Sequence, residues 1–184
     1  MKVSPDKSWN PRRFDARAFA EVAGELLGEE PLASFDRLSA ELHADGEVGA
    51  PVRWEARGES RPDAAGQPCV WMHLRAALDL PVGCQRCLGP VVVPLEVDRW
   101  FRFVADEPTA EAEDDHCDED VLALEPKPDL LALIEDELLM AMPLVPMHDV
   151  CPQPLSLLAG EEHKDEAGTE VHPNPFAALA RLKK

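Results

Sequence analysis

Tyrosine is absent from the 184 residues, and aromatic side chains make up only 5% of them. This scarcity argues against a surface that stacks nucleobases on aromatic rings. Positive charge is also scarce, because 18 lysines and arginines face 36 aspartates and glutamates, leaving a formal net charge of -18. Such a chain repels phosphate backbones and attracts basic proteins. Solubility alone is the other interpretation of the same charge.

Long apolar stretches are missing as well. No run approaches the about 20 residues that a membrane-spanning helix needs, and Met1 to Asp6 lack the apolar core of a signal peptide. We therefore expect a cytoplasmic protein, in which thiols stay reduced. The five cysteines are an odd number, so we expect them to be free or bound to metal.

The first half of the chain predicts one helix followed by strands. Phe19, Val22 and Leu26 recur at helical spacing, with Asp15 as a cap and Gly28 as the end. From residue 34 the apolar period becomes two, which predicts half-buried strands. These strands cover residues 38–42, 52–56, 70–80 and 91–103. Because no crossover helix separates them, we expect an antiparallel sheet.

The second half contains charged segments and two further helices. Residues 105–120 are almost purely acidic, so we expect a mobile acidic loop. Residues 129–142 predict a helix that starts at Asp129, stops before Pro143 and packs on the sheet. Near the C-terminus, Phe176, Leu179 and Leu182 share one face of a short amphipathic helix.

These patterns together predict an α+β fold. It comprises an antiparallel sheet of about four to six strands, an N-terminal helix, a helix after the sheet and a short C-terminal helix. The lead-in and first helix occupy residues 1–33. The sheet core occupies 34–158 and includes the acidic loop 105–120 and the packed helix 129–142. Residues 159–184 form a charged linker and the helical tail.

The clearest candidate for chemistry is a pair of short cysteine and histidine motifs. Cys84 and Cys87 form a C-x-x-C pair between two strands, and His148 and Cys151 form an H-x-x-C pair on a proline-rich segment. Three thiolates and one imidazole suit tetrahedral zinc, which would join the sheet to this segment. The alternative is reduced thiols in a turn. A redox role is disfavoured because no βαβ pattern surrounds the pair.

Other polar groups favour binding over catalysis. Glu135, Asp136 and Glu137 are consecutive, so their side chains point about 100° apart and cannot converge on one atom. They form either a solvated helix face or a face that binds a partner. Trp71 and His73 share a strand face that either contacts a partner or lies beneath a helix. RNA binding would require the few cations to form a continuous positive groove.

Three segments in this order resemble the YceD family, whose members are named for accumulation of large-subunit ribosomal RNA. They are residues 84–90 with the C-x-x-C pair, residues 129–148, and residues 174–183. The resemblance implies a role in synthesis, processing or stability of 23S ribosomal RNA, and it supplies no catalytic residue. It marks as candidate partner-binding residues the acidic triplet and the start of the tail: Glu135, Asp136, Glu137, Asn174, Pro175 and Phe176.

The sequence therefore predicts a non-enzymatic factor in ribosome biogenesis. We expect it to escort a basic large-subunit ribosomal protein or to bind a pre-ribosomal particle, with indirect contact to RNA and none to membranes. The alternative is a zinc-stapled RNA-binding module that acts directly on ribosomal RNA. Zinc, held by Cys84, Cys87, His148 and Cys151, is the one cofactor that the residues suggest.

Overall fold

Two long neighbouring strands dominate the computed structural model, which describes residues 9–45, 51–63, 65–114, 116–117 and 119–152. The strands are β1 (Glu25–Glu30), β2 (Val52–Pro62), β3 (Pro68–Gly83), β4 (Pro90–Asp106) and β5 (Asp120–Glu125). The helices are α1 (Ala16–Glu21), α2 (Asp36–Ala40), α3 (Glu107–Asp114) and α4 (Leu130–Met140). The predicted C-terminal helix and the linker 159–184 lie outside the described residues.

The five strands form one sheet in the order β1-β2-β3-β4-β5. The first three pairs are antiparallel, which confirms the α+β fold and a mostly antiparallel sheet. The pair β4–β5 is parallel, however. The predicted antiparallel sheet therefore carries one parallel pair at its edge, and parallel neighbours require a crossover. Here α3 lies in the crossover, within the segment whose acidity predicted a loop.

The N-terminal helix is shorter than its apolar spacing predicts. It ends at Glu21, and Gly24 donates its N–H to the carbonyl of Phe19 at 2.9 Å, after which β1 begins. Leu26, predicted to lie on the helix stripe, therefore lies in a strand, and its neighbour Leu27 points to the other face and is 78% exposed. Apolar residues at i, i+3 and i+7 fit a helix, but the last of them also fits a strand.

Residues 34–42 do not form the predicted strand. A short 3₁₀ turn covers Leu32–Ser34, and α2 follows, burying Phe35 and Leu38. The group that stabilises this helix lies far away in the sequence. The Glu135 carboxylate accepts the backbone N–H of Arg37 at 2.8 Å and of Leu38 at 3.1 Å. Free N–H groups in the first turn of a helix need such acceptors, so Glu135 stabilises a helix where the local pattern favours a strand.

The acidic stretch 105–120 is not the predicted mobile loop over residues 107–114, where α3 forms. Asp106 caps this helix, since its carboxylate accepts from both the backbone N–H and the hydroxyl of Thr109. These bonds lower the pKa of Asp106. Arg102 of β4 pairs with Glu113 at 2.6 Å and with Glu119 at 2.9 Å. A half-buried counterion within the fold therefore offsets part of the repulsion that the composition implies.

Helix α4 confirms the prediction for residues 129–142. The Asp129 side chain accepts the N–H groups of Leu131 and Ala132, as expected of an N-cap. Leu130, Ile134 and Leu138 are almost fully buried against the sheet. This packing fixes the direction in which the chain leaves the helix, toward the end of β3.

A close contact between strands makes Gly28 intolerant of a side chain. Gly28 and Trp54 are cross-strand partners, and a Cβ built on Gly28 would lie 2.6 Å from the indole Nε1 and closer still to its ring carbons. We expect Gly28→Ala to lower the free energy of unfolding by about 1–3 kcal/mol, the usual cost of overpacking. Gly83→Ala is the control for urea denaturation, because its Cβ would meet only His43 at 3.7 Å. Equal losses in both variants would contradict the contact.

Candidate metal centre

The connection between β3 and β4 is a tight knuckle. Cys84 donates its N–H to the carbonyl of Gly89 at 2.8 Å, and Leu88 donates back to the carbonyl of Cys84 at 2.8 Å. Leu88 adopts a positive φ of 60°, and His43 Nε2 lies 3.0 Å from its carbonyl oxygen. This turn brings Cys84 and Cys87 close together and leaves the Cys84 side chain fully buried.

The segment after α4 docks on this knuckle through backbone bonds. Gln85 donates its N–H to the carbonyl of Pro146 at 2.8 Å. The backbone N–H of His148 points at the Cys84 sulfur at 3.5 Å. These bonds join positions more than sixty residues apart in sequence and place His148 and Cys151 beside the C-x-x-C pair.

The structure brings together all four predicted metal ligands. One side-chain donor atom each from Cys84, Cys87, His148 and Cys151 lies within 4.8 Å of the other three. Cys87 Sγ lies 3.5 Å from His148 Nδ1. Ligands on tetrahedral zinc stand about 3.8 Å apart when the zinc–sulfur bonds are about 2.3 Å. The cluster has the composition and nearly the dimensions of a structural zinc site.

The electrostatic surroundings favour a thiolate at Cys84. Burial raises the pKa of this thiol, but backbone N–H groups outweigh burial and lower the pKa to about 5. These groups belong to Cys87, His148 and Arg86, and the His148 ring adds to them. The thiolate is the form that binds metal. Burial and the neighbouring sulfurs raise the pKa of Cys151. A divalent cation would reverse this shift, because its positive charge offsets the negative charge of the thiolates.

The acidic triplet on α4 has internal roles. Glu135 is buried and binds the start of α2, and its side chain also meets Arg37 Nη2 at 3.0 Å. Asp136 pairs with the same guanidinium at 2.5 Å and is half exposed. The predicted solvated face is wrong for Glu135 and Glu137, which are each 8% exposed. Binding of a partner by this triplet stays a prediction, and Asn174, Pro175 and Phe176 lie outside the described residues.

Glu135 should make stability depend on pH. Burial raises its pKa, but the N–H groups of Leu38 and Arg37 and the Arg37 guanidinium together lower it. A lowered folded-state pKa adds stability above the unfolded value of about 4.3, and this stability is lost as pH falls through the folded value. We expect acid unfolding between about pH 5 and 3 to be less steep in Glu135→Gln. Identical urea midpoints across this range in both proteins would contradict this role.

Glu137 titrates in the opposite sense. Burial raises its pKa, with Asp120 and Asp136 adding to the effect and Arg99 opposing it. Arg99 itself pairs with Asp120 of β5. Glu137 therefore contributes most to folding in its protonated form, and its charge at neutral pH costs stability.

The sheet has an exposed face that carries Trp71 and His73, which the sequence predicted to lie on one side of a strand. Arg61 lies 3.9 Å from the ring centroid of Trp100 and 4.7 Å from that of Trp71. His73 stacks on Trp100 with centroids 4.5 Å apart and planes 10° apart. Among the described residues, α1, α2 and α4 pack on the opposite face. Helix α3 lies on this side, because Arg102, the cross-strand partner of Trp71, pairs with its Glu113. A helix therefore borders Trp71, and contact of this face with a partner stays a prediction.

Carboxylates neutralise the arginines of this exposed face. Arg57 meets Glu55 at 2.5 Å, Arg61 meets Glu59 at 2.6 Å, and Arg75 meets Asp98 at 2.9 Å. Arg53 reaches Glu29 at 3.9 Å. The described part of the chain therefore presents a surface of mixed charge here, instead of the continuous positive groove that RNA binding would require.

Exposed apolar side chains gather around the cysteine cluster, a feature that the sequence patterns did not reveal. Six of the ten large hydrophobic side chains exposed in the described residues lie on the knuckle, the start of β4 or the segment after α4. Apolar residues exposed together on a soluble protein indicate an interaction surface. They are Leu88, Val92, Leu144, Val145, Met147 and Val150.

These features define an acidic α+β protein in which three cysteines and one histidine connect a sheet to the segment after its packed helix. A family model described as "Large ribosomal RNA subunit accumulation protein YceD" matches residues 72–183, a range that includes the cluster and α4. The chain therefore belongs to the YceD family, as the three sequence segments indicate.

Similarity to an individual protein agrees with this assignment. "Large ribosomal RNA subunit accumulation protein YceD" of Haemophilus influenzae (strain ATCC 51907 / DSM 11121 / KW20 / Rd) is 33% identical over 126 residues. The aligned region covers 64% of this chain and 67% of that protein. No solved structure matches the chain. Within the described residues, no helix has the length and apolar character needed to cross a membrane.

Proposed function

We propose that the chain is a non-enzymatic, zinc-stapled factor that supports accumulation of large-subunit ribosomal RNA by escorting a basic ribosomal protein. The family match over residues 72–183 carries this proposal, because the matching family is named for that accumulation. The charge balance supports the indirect route, since a formal net charge of -18 favours a cationic polypeptide over a polyphosphate.

Zinc has a structural role in this proposal. Cys84, Cys87, His148 and Cys151 would provide all four ligands of a tetrahedral ion, leaving no position for a catalytic water. The ion would hold the segment after α4 against the knuckle. In doing so it would fix the exposed apolar side chains beside the cluster, which are suited to contact a protein.

The escort would act by shielding charge. A basic ribosomal protein binds unspecifically to any RNA it meets, because counterion release drives such binding. An acidic companion competes with that binding until the correct ribosomal RNA replaces it. The neutralised arginines of the exposed sheet face keep the companion itself away from RNA.

The test is recovery of partners from cells at low and at high salt. The full chain, crosslinked in cells, should recover a basic large-subunit ribosomal protein, and cells lacking the chain should contain less 23S ribosomal RNA. In a parallel recovery without crosslinking, binding should weaken as salt rises, because the attraction is between opposite charges. Recovery of ribosomal RNA with no basic protein would overturn the escort and favour the RNA-binding module, for which the Trp71, Trp100 and Arg61 stack is the supporting observation.

A further inference from the structure

Strand β1 forms an open edge of the sheet. It pairs with β2 on one side, and no other described strand lies on its outer side. Proteins usually protect such edges with lysine, proline or a bulge, because unpaired backbone groups invite another strand. The sequence of β1 is Glu-Leu-Leu-Gly-Glu-Glu and contains neither lysine nor proline. Its only charges are negative.

The backbone alternation shows which residues face outward. Gly58 donates its N–H to the carbonyl of Gly24, so this pair is hydrogen-bonded across the two strands. Because hydrogen-bonded pairs alternate along an antiparallel ladder, Leu26 and Gly28 also direct their backbone groups toward β2. Glu25, Leu27 and Glu29 then present their N–H and C=O groups to the open edge.

The edge is held in an extended form before any partner arrives. Trp54 packs directly on Gly28, its cross-strand neighbour, and is itself 7% exposed. Leu27 on the other side is 78% exposed and lines a groove with Ala77 and Arg53. Binding of a segment to this edge would therefore cost little conformational entropy in β1, and the segment could pack an apolar side chain against Leu27.

The charge around the edge selects the kind of segment. Glu25 and Glu29 flank Leu27 on the exposed face, and their side chains are 67% and 66% exposed. Glu25 pairs with Arg57 at 3.5 Å, and Glu29 pairs with Arg53 at 3.9 Å. Both pairs are longer than the Arg57–Glu55 pair at 2.5 Å, so the two exposed carboxylates can still attract a further cation. A second copy of β1 would bring glutamates against glutamates, which is unfavourable for cross-strand pairs.

We infer that β1 binds an extended basic segment of another protein by strand addition, with cationic side chains opposite Glu25 and Glu29 and an apolar one opposite Leu27. Main-chain hydrogen bonds would supply affinity, and the alternating side chains would supply specificity. This inference rests on the proposed escort function for the identity of the partner, but not for the binding itself.

The experiment uses the full chain and a short synthetic peptide in which lysine alternates with valine. Fluorescence anisotropy should detect binding of this peptide. It should detect no binding of a control peptide that has glutamate at every lysine position. Leu27→Pro removes one outward N–H and leaves the ladder to β2 intact, so it should weaken binding about tenfold or more. Leu27→Val keeps the N–H and should bind like the original chain. Equal binding by the proline and valine variants would overturn strand addition.

Hydrogen exchange keeps the inference testable if Leu27→Pro fails to fold. In the unmodified chain, bound peptide should slow exchange at the amides of Glu25, Leu27 and Glu29. No slowing there would overturn the inference even if the peptide binds elsewhere. Recovery of partners from cells also distinguishes strand addition from the escort function. If cells yield a basic ribosomal protein whose capture survives Leu27→Pro, the edge is not its site and the escort role stands. If the peptide adds to β1 but cells yield no basic protein, strand addition stands and the escort role is overturned.

Discussion

Cys84→Ser is expected to reduce zinc from about one ion per chain to almost none, because a buried serine hydroxyl cannot replace a thiolate ligand. Cys84 is the fully buried member of the four donors. A bound ion would also stabilise the fold, by about 4 kcal/mol when free zinc exceeds the dissociation constant roughly a thousandfold. We therefore expect a much lower thermal midpoint in the variant, and the same loss in the original chain after chelation.

The matched control for this prediction is Cys69→Ser. Cys69 is a half-buried free thiol on β3 that lies outside the cluster. This variant should retain zinc and the original thermal midpoint. Metal content should be measured by atomic emission on protein purified without an affinity tag. Equal zinc in both variants, or no zinc in the unmodified chain together with a fold that resists chelation, would contradict the metal site.

Glu135→Ala should be strongly destabilising for a substitution outside the apolar core, at about 3 kcal/mol. The substitution removes the acceptor of two backbone N–H groups at the start of α2, and each unsatisfied buried donor costs about 1–3 kcal/mol. It also removes the ion pair with Arg37, which adds little because the guanidinium is half exposed. Urea denaturation at neutral pH measures the loss.

Two neighbouring substitutions identify the cause of that loss. Asp136→Ala removes a half-exposed carboxylate that also meets Arg37, and we expect it to cost less than about 1 kcal/mol. Glu135→Gln retains an oxygen acceptor for the helix start and should restore part of the stability. If Asp136→Ala cost as much as Glu135→Ala, the ion pairs with Arg37 would matter more than the cap on α2.

The elements that the sequence predicts well are those with local signals. Helix α4 has an N-cap, an apolar stripe and a proline after its end, all within one segment. The long strands β3 and β4 alternate through many periods, so no other structure fits them. The grouping of Cys84, Cys87, His148 and Cys151 could also be predicted, because two short motifs at the spacing of metal ligands stand out even when their separation in the fold is unknown.

The elements that were predicted wrongly depend on partners far away in sequence. Helix α2 requires Glu135, which follows Arg37 by 98 residues, so no local pattern could have indicated it. The acidic stretch folds because Arg102 provides a half-buried counterion. Composition reveals the repulsion between like charges but not the cation that offsets it. The parallel position of β5 could not be predicted for the same reason, because it depends on the formation of α3.

The separation of the metal ligands along the chain has a consequence for synthesis. Cys87 leaves the ribosome 61 residues before His148, an interval of roughly 3–12 s at bacterial elongation rates of about 5–20 residues per second. During that interval the nascent hairpin offers only two sulfurs, which would hold an ion weakly and exchangeably. Tight binding of an ion would require completion of α4. Zinc shortage would therefore be felt at the final stage of folding, after the sheet itself has formed.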